Sequence, residues 1–189
     1  GIIVPGGFGK RGVEGKIAAI RYAREHSLPY LGLCYGMQLA TIEFARHVMR
    51  DAQITSEEFD EKNLLPPEKY VINFLPDQSW TKEKGGTLRL GSYPCRIRRG
   101  TKTHRAYRAD LINERHRHRY EINNDFRKTL EKHGWIPSGV YEKENLVEIA
   151  ELKNHPFMVG SQFHPEFKSR PHTPHPLFNG FIAASIHSA

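Results

Sequence analysis

The stretch Leu31-Gly32-Leu33-Cys34-Tyr35-Gly36-Met37-Gln38-Leu39-Ala40 decides how the chain is read. An apolar run from Tyr30 to Leu33 meets a cysteine flanked by glycines, and a helical pattern starts at once. That is the outline of a nucleophile elbow, a sharp strand-to-helix turn with one reactive side chain at its tip. Glycines at 32 and 36 fit a turn that leaves no room for β-carbons and whose backbone angles suit glycine. The helix N-terminus behind Cys34 would supply partial positive charge and free N–H groups, favouring a thiolate and an oxyanion. The alternative is a buried structural cysteine.

On either side of the elbow the chain reads as a βαβα series. Upstream, Ile2 to Val4 is a strand, followed by the glycine-rich loop Pro5-Gly6-Gly7-Phe8-Gly9-Lys10-Arg11-Gly12, which matches neither phosphate-binding glycine motif. Val13 to His26 has a helical period in Val13, Ile17, Ile20 and Ala23. Met37 to Met49 continues that period beyond the elbow through Leu39, Ala40, Ile42, Phe44 and Val48. This pattern predicts an α/β fold with a mostly parallel central sheet and helices on both faces. The chain opens on a strand without an initiating methionine, so it is expected to be a piece whose preceding sheet elements are missing.

Residues 50–69 lose periodicity and read as a solvated, partly acidic loop carrying Glu57, Glu58, Asp60 and Glu61. Tyr70 to Phe74 and Tyr93 to Arg98 read as strands, Gly85-Gly86 as a mobile excursion before Thr87 to Gly91, and Thr101 to Ala109 as a short helix. In Glu114-Arg115-His116-Arg117-His118-Arg119-Tyr120-Glu121 the alternation puts histidine and arginine on opposite faces of a strand. An arginine there can hold a carboxylate bidentately. The two histidines lack a third ligand at a suggestive spacing, so no metal is expected. Asn124 to His133 reads as a helix. Three strands follow, at Ile136 to Glu142, Leu146 to Leu152 and Phe157 to Phe163, and then a helix from Leu177 to Ile186. On an extended segment Glu166 lies on the same side as His164, where it would fix the imidazole tautomer.

The 189 residues suit one domain with a sizeable core. No apolar run approaches the roughly 18 residues of a membrane span, so no membrane is expected. Two cysteines make neither a disulfide framework nor a zinc site, and a free thiol suits a reducing, cytoplasmic setting. The net charge of +7 invites a nucleic-acid reading. The basic residues are not interleaved with aromatics over one face, and the other variable loop is acidic, so no nucleic-acid partner is expected.

Cys34, His164 and Glu166 combine into a Cys–His–Glu triad for acyl transfer from an amide through a thioester. Neighbouring strands would set the Gly7 N–H opposite the Tyr35 N–H as an oxyanion hole.

Gly32 through Gln38 resembles the G-x-C-x-G-x-Q signature of class I, triad-type glutamine amidotransferases (flavodoxin-like in fold), and His164-Pro165-Glu166 resembles their H-P-E. Longer strings resemble one branch, the glutaminase domain of the CTP synthase family. They are Pro5 through Gly9, Arg11-Gly12, Glu14 through Lys16, Gly85 through Gly91, Glu114 through Glu121 and Phe163 through Arg170.

The resemblance implies a single glutaminase domain over residues 1–189, part of a larger enzyme whose synthetase domain is absent. Cys34 would hydrolyse L-glutamine, with ammonia passing to the synthetase domain that converts UTP to CTP with ATP and Mg. Gly7 would serve the oxyanion, Phe8 would line the glutamine pocket, and Gln38, Glu58 and Arg119 would bind glutamine. The segment around Gly85 to Gly91 resembles a lid that responds to GTP as allosteric activator, with Arg89 its candidate contact. No cofactor is implied in this domain, and the full-length enzyme would be a homotetramer. The rival readings are the glutaminase domain of another class I amidotransferase, such as that of GMP synthetase, a relative hydrolysing γ-glutamyl peptides, or a catalytically silent regulatory subunit.

Overall fold

The computed structural model describes residues 1–74 and 88–187. Its strands are β1 (Ile2–Val4), β2 (Tyr30–Leu33), β3 (Thr55–Ser56), β4 (Tyr70–Phe74), β5 (Arg89–Ile97), β6 (Leu111–His118), β7 (Tyr120–Ile122), β8 (Trp135–Tyr141), β9 (Leu146–Leu152) and β10 (Met158–Ser161). Its helices are α1 (Val13–Glu25), α2 (Tyr35–Met49), α3 (Lys102–Tyr107), α4 (Asn124–Lys132) and α5 (Pro176–His187).

The main sheet runs β1-β2-β10-β9-β8-β5-β6, and a smaller one runs β3-β4-β7. Residues of β2 alternate between its two faces, as the strand period requires. Tyr30 joins the core with Val13, Ile17 and Ile20 of α1, Met37 and Leu39 of α2, and Phe126 and Leu130 of α4. Leu31 and Leu33 join the opposite core with Leu177 and Phe181 of α5, against which Tyr107 of α3 packs. Helices therefore cover both faces.

The expected parallel pairing is concentrated at one end. β1 with β2, and β2 with β10, pair in parallel. β10 with β9, β9 with β8, β8 with β5 and β5 with β6 run antiparallel. The α/β class holds, with a mixed sheet. Short turns join β8 to β9 and β9 to β10, and a short connection suffices only for antiparallel neighbours.

The strand expected at Tyr93 to Arg98 begins earlier, since β5 starts at Arg89. Pro94 is tolerated because β8 pairs with β5 only at Arg96 and Ile97. Residues 50–69 are more structured than a solvated loop. Ile54 and Phe59 are buried in the core, and 3-10 turns form at Glu57–Phe59 and Pro67–Lys69.

The His/Arg alternation of β6 faces as expected, with His116 and His118 buried and Arg115 and Arg117 exposed. The buried side encloses an ionic cluster. Arg89 is 5% exposed, donates to Glu148 Oε1 at 2.6 Å and to Glu121 Oε1 at 3.3 Å, and lies over the rings of Tyr93 and Tyr141. Burial lowers the pKa of His116 to about 2 and that of His118 to about 3, so both are neutral at physiological pH.

Candidate active site

Three strand ends meet at the parallel end of the sheet: β1 with the glycine loop after it, β2 with the elbow, and β10 with the segment carrying His164. Cys34 caps α2 at φ 49°, ψ −98°, an uncommon conformation for a residue with a side chain. Its N–H donates to Ser161 O at 2.6 Å, and its carbonyl accepts from the Gln38 N–H at 3.2 Å.

Of the two needs expected of the elbow glycines, the lack of room for a β-carbon is met and the special backbone angle is not. Neither lies in the left-handed region, and the unusual angle falls on Cys34 itself. What they supply is close approach. A Cβ at Gly36 would lie 2.1 Å from Val4 O, and one at Gly32 would lie 2.6 Å from the Gly36 carbonyl carbon.

Cys34 is 6% exposed, and Gln162 Nε2 lies 3.6 Å from its sulfur. Burial pushes the thiol up to about 12, only partly offset by the Tyr35 N–H bonded to it. Desolvation thus outweighs the helix N-terminus that was expected to favour the thiolate. Alkylation of Cys34 by iodoacetamide is expected to rise about tenfold per pH unit from about pH 7 to about pH 9. A rate levelling off below about pH 8 would mean a resting thiolate.

His164 Nδ1 lies 2.6 Å from Glu166 Oε1. The pairing is as expected, but its geometry differs. Strand β10 ends at Ser161, and Glu166 belongs to a 3-10 turn at Pro165–Phe167, where Pro165 fixes φ. Phe167 stacks on the imidazole with ring centroids 4.8 Å apart. Burial raises the Glu166 pKa, but the hydrogen bond and charge of His164 overcome it and hold the carboxyl low. The other ring nitrogen, Nε2, is buried with no hydrogen-bond partner among the described residues. A Cβ added at Gly6 would lie 3.0 Å from His164 Cε1 and 4.0 Å from Cys34 Cβ. Cys34, His164 and the loop therefore crowd around one point.

The other residues implied by the family resemblance are placed as follows. Glu58 Oε1 accepts the Gly9 N–H at 2.7 Å. Burial raises its pKa, against the opposing pull of Gly9 and of the Arg119 charge. Arg119 sits at the bend where the chain leaves β6 for β7, half-buried. Gln38 Nε2 donates to Tyr120 O at 3.1 Å, tying α2 to that bend, and to Gln162 Oε1 at 3.3 Å. Gly7 lies on the Tyr35 ring, 3.3 Å from where its Cβ would be.

Phe8, between Gly7 and Gly9 in the loop, is 89% exposed. Arg89 departs from the expectation: its guanidinium is held in the ionic cluster, and not on a surface that a nucleotide could reach. Gly85, Gly86 and Thr87 of the expected lid lie outside the described residues.

Gln162, beside the sulfur, was not singled out in the sequence, although it stands two residues before His164. The Tyr35 side chain was also passed over. Its hydroxyl donates to Gly9 O.

Among the described residues no group of three or more His, Cys, Asp or Glu is arranged to hold a metal ion. No described helix is long and apolar enough to cross a membrane.

The chain belongs to the glutamine amidotransferase class I family, whose model matches residues 1–184. Its relatives in that class include the CTP synthase of Roseiflexus castenholzii, 59% identical over 186 residues, which are 98% of this chain and 33% of that protein. The CTP synthase of Moorella thermoacetica is 56% identical over 189 residues, 100% of this chain and 34% of that protein. The chain thus spans about a third of the length of these curated relatives. Among solved structures, the glutaminase domain of Trypanosoma brucei CTPS with bound acivicin superposes with a TM-score of 0.89 at 35% identity, covering 98% of this chain and 70% of that one. The resemblance to the CTP synthase glutaminase domain holds over the whole chain.

Proposed function

We propose that this chain hydrolyses glutamine through a Cys34–His164–Glu166 triad. The observation that carries the reading is Cys34, held at positive φ beside a histidine whose Nδ1 is occupied by Glu166 and whose Nε2 is buried without a hydrogen-bond partner among the described residues. That leaves Nε2 to take the thiol proton as sulfur attacks the side-chain amide carbon of glutamine. A thiol that is protonated at rest needs such a base. The oxyanion of the tetrahedral intermediate is received by the N–H groups of Gly7 and Tyr35. His164 returns the proton to the departing nitrogen, releasing ammonia and leaving a thioester. Water, deprotonated by His164, then cleaves the thioester to glutamate and restores the thiol.

Glu58 receives the α-ammonium and Arg119 the α-carboxylate, with Gln38 adding a polar contact and Phe8 a flank. The pull of the Arg119 charge on the Glu58 carboxyl supports a site for a zwitterion. The acivicin bound to the Trypanosoma brucei domain supports a ligand resembling an amino acid.

In the larger enzyme the ammonia passes to a synthetase domain that aminates UTP to CTP with ATP and Mg. The reading also carries activation by GTP, a homotetramer and a cytoplasmic setting. The similarity to full-length CTP synthases supports this wider role.

Ammonia release from glutamine tests the site. Glu58→Gln is expected to raise KM about 10- to 100-fold with kcat much less changed, the scale of one charge-assisted hydrogen bond. An unchanged KM would remove Glu58 from the ammonium site.

A further inference from the structure

The glycine loop is exposed at Gly6, Gly7 and Phe8, and glycine-rich backbone is costly to hold in one conformation. Among the described residues the middle of the loop is tied down at Gly9. The Gly9 N–H donates to Glu58 Oε1 at 2.7 Å, and the Gly9 carbonyl accepts the Tyr35 hydroxyl. Gly9 itself has φ +78° and open space where a Cβ would be. The Tyr35 ring backs Gly7 and meets Phe59 edge-on, with centroids 6.1 Å apart.

We propose that the Tyr35 side chain is a positioning residue for glutamine hydrolysis: with Glu58 it clamps Gly9 and holds the loop so that the Gly7 N–H faces Cys34. The proposal rests on the site reading given above. Tyr35 then serves both halves of the oxyanion hole, one through its own N–H at the start of α2 and the other through its hydroxyl on the loop. Burial and the Glu58 carboxylate raise the hydroxyl pKa, so it stays a donor. Glu58 has two claims on it, the Gly9 N–H and the substrate ammonium. Among the described residues the tyrosine hydroxyl has one, the Gly9 carbonyl, so it keeps the loop in place while substrate occupies Glu58. Its loss therefore acts on turnover more than on binding.

Tyr35→Phe in the full chain removes the hydroxyl and keeps the ring and the backbone N–H. The expected result is a fall in kcat for ammonia release of about tenfold with KM within about twofold. Affinity for the γ-aldehyde analogue of glutamine, whose adduct with the Cys34 thiol carries an oxyanion-like oxygen, should fall by the same factor. Alkylation of Cys34 by iodoacetamide, which needs no oxyanion donor, should not change. Gly9 amide exchange should quicken by about fivefold or more.

Equal turnover and equal aldehyde affinity in the variant would overturn the proposal. So would a loss of alkylation matching the loss of turnover, since that marks general damage to the site. Failure of the site reading itself looks different. The wild-type chain would then release no ammonia, ending the catalytic consequence, while Gly9 exchange would still judge the clamp.

Discussion

Cys34→Ala is expected to abolish ammonia release from glutamine, a loss of about 10⁴-fold or more, while the protein stays folded. Removing the nucleophile of a triad costs on this scale because no other group can form the covalent intermediate. In this chain the alternatives are few. The other cysteine, Cys95, is fully buried in β5, and burial raises its pKa strongly. The stability effect should be small. Among the described residues the sulfur's side-chain hydrogen bond, from Gln162, is long at 3.6 Å, and alanine at φ 49° carries the same backbone strain as cysteine. Thermal melting beside the activity assay separates the two effects. Residual turnover of a tenth of wild type would move the chemistry away from Cys34.

Gly36→Ala is expected to cost about 3 kcal/mol or more of stability. Alanine in a helix is worth about 1 kcal/mol over glycine, so propensity alone predicts the opposite sign. The clash decides. The new Cβ would sit 2.1 Å from the carbonyl oxygen of Val4, and backbone of a strand flanked by β2 cannot withdraw as a flexible side chain can. Relief requires α2 to lift from β1, which moves Cys34 at its first turn. For a domain of this size the cost corresponds to roughly 10 °C in melting temperature. Glutaminase activity should fall with it. A variant melting within about 1 °C of wild type would show that the approach of helix to strand is looser than described.

The core of this fold was legible where hydrophobic period and turn chemistry agree. Ile17, Ile20 and Ala23 marked the buried stripe of α1, and Tyr30 to Leu33 the strand into the elbow. Sheet direction was less legible. Buried strands look alike whichever way their neighbours run, so β8 and β9 were placed correctly as strands without their antiparallel pairing being foreseen. Short elements such as β3 carry too few residues to show a period at all.

The site followed the same division. His164 and Glu166 were close in sequence and could be paired from it, although the pairing comes from a 3-10 turn that Pro165 favours. Glu58 and Arg119 stand 61 positions apart, and only the family resemblance joined them. Arg89 misled for a physical reason. The family resemblance named it as a lid contact, whereas its carboxylate partner Glu148 comes from β9, 59 positions away. The Tyr35 hydroxyl was missed because its acceptor, the Gly9 carbonyl, is a backbone group that no side-chain pattern reveals.

The most direct test is the site of covalent capture by a glutamine-like diazo-ketone, located by mass spectrometry with and without excess glutamine. A single adduct on Cys34, suppressed by glutamine, is the expected result, since nucleophile and substrate pocket would be established together. An adduct on Cys95, or no adduct on a folded chain, would contradict the account.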